Sequence, residues 1–385
     1  MESGNEYTFR IGPIRPPSEA DSLLLQVTQG CTWNKCLFCN IYKDTKFNSF
    51  SADSIKKDID NIAANAEIVE QYHVGGLWDI NGLNSHLGTI ESDDERQCFY
   101  MVANWLLRGG ENVFLQDGNT TALSSGRLSD VLVYLKETFP NIKRITSYGR
   151  AENLSRHDAE YFAELKEAGL DRIHSGFESG SDEVLKLINK GTTAQQEITA
   201  GKNIKAGGIE LSIYFMPGIG GKELTVQNAE GTANVINEID PDFLRVRTAA
   251  VKPGTGMYDL YASGADSLCS DDEKIVEIRR VIELADGIST VIVSDPMVKL
   301  RQEVEGRMAK APDRKQMLDI IDDYLALPDD ERRIFQLLRR TLRAYAPEDM
   351  ENLSAKEKAQ LVEAVRGYSD AEWDAQMNDY ICRYI

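Results

Sequence analysis

The sequence predicts an α/β fold: a parallel sheet interleaved with helices, then a helical C-terminal region. Three observations carry this prediction. Short, continuously apolar runs such as Leu23-Leu24-Leu25-Gln26-Val27 read as strands covered on both faces, which is how parallel strands are placed. From Val113 to Val251 such runs alternate with segments of helical period, the pattern of right-handed strand-helix-strand crossovers. Past residue 260 the texture changes to charged, Leu- and Ile-bearing stretches, with capping-box spacing at Ser270/Glu273, Ser354/Glu357 and Ser369/Glu372.

Residues 1–20 carry Pro13, Pro16 and Pro17 and read as an extended arm. The core is expected over 21–260. After the first strand, Ser51 caps a helix whose Ile55, Ile59 and Ile62 recur at helical spacing. Residues 67–110, with Gly75-Gly76, Gly82 and Gly88 around Trp78, His73 and His86, interrupt the rhythm. They are expected to form an insertion, either a substrate-covering lid or a surface excursion, with both histidines structural. Strand Val113–Leu115 follows, then a helix striped by Leu128, Val131, Leu132 and Leu135, and strand Ile142–Tyr148. A helix over 155–168 stops at Gly169, and strand 171–177 precedes helical stretches at 181–189 and 194–206. Ser181 and Asp182 are in place to cap the first of these. Leu211–Phe215, a helix through Val226, Val235 and Ile239, and Phe243–Val251 complete six strands. An extension over 261–295 ends in a short strand, Thr290–Val293, and residues 296–385 are expected to be helical.

The net charge of −19 argues against a bulk nucleic-acid surface, which needs clustered Lys and Arg. No run of about 18 apolar residues occurs, and Met1-Glu-Ser-Gly-Asn-Glu lacks a signal peptide's basic and apolar regions, so the expected location is cytoplasmic. Three of the six cysteines, Cys98, Cys269 and Cys382, are scattered and suggest no disulfide framework.

The other three lie in one nine-residue stretch, Cys31-Thr-Trp-Asn-Lys-Cys36-Leu-Phe-Cys39, just after the first strand. Three thiolates select a soft metal centre: an iron-sulfur cluster, zinc or copper(I). A four-iron cluster would keep one iron without a protein ligand. Zinc would lack the histidine or fourth cysteine that closes a structural site. Three unrelated buried thiols are the blander alternative.

This loop resembles the cluster loop of the radical S-adenosylmethionine (radical SAM) enzymes, with spacing of four residues then two where the family has three then two, and with the family's aromatic, here Phe38, before the last cysteine. The resemblance implies a partial (β/α)6 barrel with a helical C-terminal appendage, a [4Fe-4S] cluster on Cys31, Cys36 and Cys39, and S-adenosyl-L-methionine on the open iron. It continues along the strand ends. Gln116-Asp117-Gly118-Asn119-Thr120-Thr121 stands where the family's glycine-rich motif holds the methionyl amino group, which implies Gly118, Asn119 and Thr120. Ser147-Tyr148-Gly149-Arg150 ends the third strand: Ser147 and Tyr148 would line the pocket, and Arg150 would meet a carboxylate. In Gly176-Phe177-Glu178-Ser179-Gly180, the resemblance gives Glu178 the ribose hydroxyls and Lys190, twelve positions on, the methionyl carboxylate. Gly218 and Ile219 would pack on adenine, and Val251-Lys-Pro253-Gly254-Thr255 is similar to the family's Pro-Gly-Thr turn.

The implied activity is reductive cleavage of S-adenosylmethionine to methionine and a 5′-deoxyadenosyl radical that takes hydrogen from a small-molecule or peptide substrate. An electron donor such as flavodoxin or ferredoxin would serve it. Tyr148, Tyr214 and Cys98 are the candidate residues for the hydrogen-abstraction step. Two alternatives stay open: a non-catalytic, cofactor-carrying iron-sulfur protein on the same fold, and a zinc-binding interaction protein.

Overall fold

Leu23–Gln26 forms the first strand, β1, with all four residues buried. In the computed structural model, which describes residues 7–293, 306–308 and 311–383, seven further strands follow it. They are β2 (Asn112–Gln116), β3 (Arg144–Tyr148), β4 (Arg172–Glu178), β5 (Glu210–Phe215), β6 (Phe243–Val246), β7 (Val291–Val293) and β8 (Gly306–Arg307). They line up across the sheet in chain order. The expected strand near Thr290 is β7, parallel to β6, and β8 is antiparallel to β7. Seven parallel strands with their crossover helices give the α/β class predicted, an arrangement consistent with a partial barrel.

The chain divides into two compact units, Met1–Asn34 with Ile41–His174 and Asn203–Glu210, and Lys35–Asn40 with Ser175–Lys202 and Leu211–Ile385. In the first, β1 pairs β2 with Leu23 opposite Val113, and β2 pairs β3 with Val113 opposite Ile145. Helix α1 (Ala52–Glu70) is capped by Ser51, whose side chain accepts from the Ser54 amide, and it buries Ile55, Ile59 and Ile62 completely. Residues 67–110 differ from expectation. After a two-residue hairpin pairing His73 with Trp78, they form α2 (Ile80–Thr89) and α3 (Asp93–Leu107). Helix α3 buries Cys98, Phe99, Val102, Ala103 and Trp105, so it is a core helix leading into β2. Its glycine-poor, apolar-striped sequence was masked by the glycines preceding it. His86 contacts the Tyr72 hydroxyl at 3.2 Å and stacks on Phe99, and His73 stacks on Trp78, the structural roles expected. Helices α4 (Ser125–Thr138) and α5 (Ala159–Ala168) follow, and α5 ends at left-handed Gly169 as predicted.

The second unit holds α6 (Ala194–Ala206), α7 (Thr225–Ile239) and α8 (Asp271–Leu284), then α9 (Ala311–Leu325), α10 (Asp329–Arg340), α11 (Ala355–Arg366) and α12 (Asp370–Cys382). The expected helical region is therefore helical from residue 311 to 382; residues 296–305 lie outside the described residues. All three capping boxes form, at the starts of α8, α11 and α12. Ser181 makes no side-chain cap; instead the Asp182 carboxylate accepts from the Ala194 amide at the start of α6.

The C-terminal helices are anchored by charge. Arg340, 1% exposed, donates to Asp271 at 2.6 Å, and Lys274 reaches the same carboxyl group at 3.2 Å. Burial alone would raise the Asp271 carboxyl, but the Arg340 and Lys274 charges outweigh it and hold the group below the usual range. Removing Arg340 leaves a buried carboxylate half-compensated, so Arg340→Ala is expected to cost roughly 3 kcal/mol in urea unfolding. Helix α12 also reaches the loops after β5 and β6. Lys222 pairs with Asp374 at 2.9 Å, and the Asn378 side chain both accepts from the Val251 amide (2.9 Å) and donates to its carbonyl (2.8 Å).

Candidate active site

The residues singled out from the sequence fall in both units. In the first unit, β2 ends at Gln116 and the chain turns through Asp117 to Thr121 directly beneath the cysteine loop. A Cβ on Gly118 would lie 2.9 Å from the Gly30 carbonyl oxygen and 3.5 Å from the Cys31 Cα, so only glycine lets the two loops touch. Asp117 is fully buried; its Oδ2 accepts from the Gly30 amide at 3.0 Å and more weakly from Gln26 at 3.5 Å, while Oδ1 has no partner among the described residues. Burial pushes this carboxyl up to about 6 against the pull of the Gly30 amide, the Gln26 side chain and the Gly118 amide.

Asn119 is also fully buried. Its Nδ2 donates to Asn153 at 2.8 Å and to Thr32 at 3.1 Å, and its Oδ1 accepts from the Thr121 hydroxyl at 3.0 Å and the Arg150 amide at 3.2 Å. Those four bonds use both donors and both lone pairs. The expectation that this side chain holds a methionyl amino group is therefore corrected, because the protein's own groups saturate it. Thr120 is committed likewise, its hydroxyl donating to the Tyr148 carbonyl. Arg150 lies 5.7 Å over the Trp33 ring and 3.4 Å from the Thr32 hydroxyl.

Tyr148 packs edge-on against Phe114 and His174. Ser147 is fully buried, with no hydrogen-bond partner for its hydroxyl among the described residues. Period-two alternation in β3 turns it to the face opposite Tyr148. Cys98 is corrected too. It sits on α3, where the Phe9 amide donates to its sulfur and its thiol donates to the Phe9 carbonyl, each at 3.4 Å. It is thus a buried thiol under the N-terminal arm and not a strand-end group.

In the second unit the assembly is tighter. Lys190 donates to Glu178 at 2.8 Å, each residue 9% exposed, and its ammonium lies 5.5 Å from the centre of the Phe38 ring. Cys36 Sγ lies 4.0 Å from the Lys190 carbonyl oxygen. Glu178 takes a left-handed backbone, φ +68°, at the strand end. Gly176 lies beneath the pair: a Cβ there would meet Glu178 Oε1 at 2.2 Å and Lys190 Nζ at 3.2 Å, so a larger residue would displace both side chains. Glu197 on α6 is fully buried, with neither carboxyl oxygen hydrogen-bonded among the described residues. Burial raises it far above the carboxylate range despite the Lys190 charge, so it is a neutral acid, and Glu178 supplies the negative partner of Lys190. Ile219, Val184, Ile188, Ala249 and Met257 form an apolar cluster against which Leu37 and Phe38 pack, which brings Phe38 of the cysteine loop and Ile219 together. Tyr214, 8% exposed in β5, lies with its ring 5.5 Å under the Arg247 guanidinium.

Gly218, the other expected adenine contact, is held from behind by a group the sequence did not advertise. Glu277 on α8 accepts from the Gly218 amide and from Asn228 Nδ2, both at 2.8 Å. Burial pushes its carboxyl up to about 8, against the pull of the Gly218 amide and of Asn228. The native state thus keeps a proton that the unfolded chain releases above its ordinary range. Stability is then expected to fall as pH rises from about 4.5 to about 8, by up to ~1.4 kcal/mol per pH unit. Glu277→Gln preserves the acceptor and is expected to abolish that slope, read as melting temperature against pH.

Among the described residues no three His, Cys, Asp or Glu side chains converge as a group able to hold a metal ion. Cys31, Cys36 and Cys39 are half-buried and none is in a disulfide. Their donor chemistry fits a thiolate-bound cluster.

A radical SAM superfamily model matches residues 85–225. The chain is 25% identical over 304 residues to 4′-phospho-dehydrooxetanocin synthase of Priestia megaterium, covering 78% of itself and 36% of that protein. It is 27% identical over 171 residues to an uncharacterized methyltransferase of Pyrococcus horikoshii, covering 44% and 36%. It thus spans about a third of the length of these curated relatives. Among solved structures it aligns with the cobalamin-dependent S-adenosylmethionine radical enzyme OxsB at a TM-score of 0.45 and 14% identity, over 94% of this chain and 58% of that one. No helix among the described residues is long and apolar enough to cross a membrane.

Proposed function

We propose that this protein is a radical SAM enzyme that binds a [4Fe-4S] cluster on Cys31, Cys36 and Cys39 and S-adenosylmethionine beside it, and that it acts in the cytoplasm on a small-molecule or peptide substrate with electrons from a flavodoxin or ferredoxin. The observation that carries this reading is the buried Lys190–Glu178 pair lying against Phe38 of the cysteine loop. A cation and an anion, both shielded from water and placed beside an aromatic ring and the apolar cluster of Ile219, suit a zwitterionic nucleoside-like ligand. Lys190 would take the methionyl carboxylate, Glu178 the ribose hydroxyls, and Phe38 with Ile219 the adenine.

Bound there, the reduced cluster would supply the electron that cleaves S-adenosylmethionine to methionine and the 5′-deoxyadenosyl radical, which takes hydrogen from the substrate. The protein's own part is to hold and shield. The apolar cluster keeps water from the adenine side, the neutral Glu197 adds no negative charge beside Lys190, and Glu277 fixes the Gly218 turn. Tyr148 and Tyr214 remain the candidates for a proton or hydrogen relay.

The test is anaerobic reconstitution with iron and sulfide, then dithionite and S-adenosylmethionine, with 5′-deoxyadenosine quantified by chromatography and mass spectrometry. Formation of 5′-deoxyadenosine, lost when Lys190 is replaced by Met, is expected. A full cluster with no cleavage in the presence of candidate substrates would point to the cofactor-carrying alternative, and a colourless zinc protein would overturn the assignment.

A further inference from the structure

Within the first unit, Cys31 is flanked by two residues that the end of β2 holds directly. Gly30, on its N-terminal side, sits at φ +82° and gives its amide to the buried Asp117 carboxylate at 3.0 Å. Thr32, on its C-terminal side, accepts from Asn119 at 3.1 Å and donates to Asn153 at 3.0 Å, while Asn119 also donates to Asn153 at 2.8 Å. The loops touch between these two grips, where Gly118 leaves room for nothing larger. Asp117, Asn119, Thr32 and Asn153 thus tie the backbone on both sides of one cysteine to one strand end.

In the second unit the flanks of Cys36 are held as well, the Lys35 carbonyl accepting from the Asn189 side chain at 2.9 Å and the Leu37 amide donating to the Ile188 carbonyl at 2.9 Å. The chemistry of the grips also differs. A buried carboxylate accepting a backbone amide makes a charge-assisted bond, and the Thr32–Asn119–Asn153 triangle is a closed set of side-chain hydrogen bonds with no solvent competitor at Asn119. Neither a turn nor strand pairing requires an aspartate here, because β2 has already ended at Gln116.

Resting on the iron-sulfur reading above, we infer that Asp117 and Asn119 are positioning residues that clamp Cys31 from both sides and present its sulfur as a pre-set cluster ligand. The backbone of Cys31 is then already fixed in the apo chain before a cluster is built. Asn119 serves the loop through Thr32 and Asn153 and makes no contact with S-adenosylmethionine.

The first readout uses the apo protein and needs no cluster: the rate of iodoacetamide alkylation at each thiol, resolved by peptide mass spectrometry, with Cys36 and Cys39 as internal references. Losing one such bond is expected to increase exposure of Cys31 about tenfold in Asp117→Ala, and similarly in Asn119→Ala, relative to Cys36. Asp117→Asn, which retains an acceptor for the Gly30 amide, is expected to restore most of the protection. The second readout is the electron paramagnetic resonance spectrum and midpoint potential of the reconstituted, reduced protein, expected to shift in Asp117→Ala and to return toward wild type in Asp117→Asn. Unchanged alkylation ratios together with an unchanged spectrum would overturn the inference, even with a cluster bound. Absence of a cluster in wild type would instead sink the functional reading, while the alkylation pattern would still decide whether the clamp exists. Should either alanine variant not fold, Thr32→Val, at a half-exposed position, decides by the same ratio: a rise in Cys31 alkylation supports the clamp and no rise refutes it.

Discussion

Cys36→Ala, reconstituted anaerobically, is expected to lose the visible iron-sulfur absorption entirely, and iron content is expected to fall from about four atoms per chain to near zero. The size of the effect follows from the ligand count. With three protein thiolates and no fourth, each cysteine carries a third of the covalent hold, and no other Cys, His, Asp or Glu group among the described residues stands ready to replace it. Cys98→Ala is the matched control. That thiol is committed to the Phe9 backbone under the N-terminal arm, so its loss should leave iron content unchanged while lowering stability by about 1 kcal/mol. A Cys36→Ala protein that retains absorption would show the cysteine loop not to be the cluster site.

The second large effect concerns Lys190 and Glu178. Either single replacement, Lys190→Met or Glu178→Leu, strands the opposite charge at a site 9% exposed, and a loss of 3–5 kcal/mol in urea unfolding is expected, as is typical of a broken buried pair. The double replacement removes both charges and is expected to recover most of that loss, because an apolar pair avoids the desolvation cost altogether. Binding separates the explanations. S-adenosylmethionine affinity, by calorimetry or equilibrium dialysis, is expected to stay lost in the double variant. Recovery of both stability and binding would show the pair to be structural only. A coupling energy near zero in the double-mutant cycle would mean that the 2.8 Å contact does not persist in solution.

Much of the fold was legible because it rests on periodicity. The fully buried strands spelled themselves out in Leu23–Leu25 and Val113–Leu115, and the helix starts in Ser51, Ser270, Ser354 and Ser369. Where glycines and aromatics broke the rhythm, at 73–90, the reading carried a loop too far and missed that α3 returns to the core. At the site, Lys190, Glu178, Phe38 and Ile219 were singled out only through the resemblance; the structure places Lys190 against Glu178 and Phe38, and Phe38 against the cluster of Ile219, within one unit. Asp117, Asn153 and Glu277 were not, because a buried carboxylate or amide that grips a backbone group far along the chain leaves no local pattern.

The grip of α12 on the loops after β5 and β6 bears on how the protein is handled at the bench. Asp374 reaches Lys222, and Asn378 bonds both backbone groups of Val251. A shortened version ending before residue 370, chosen because the sheet and its crossovers are complete by then, would unfasten both turns that follow those strands. Affinity handles are accordingly better placed ahead of the N-terminal arm, and limited proteolysis that clips the last helix should be read as damage to the mouth of the fold and not as removal of a tail.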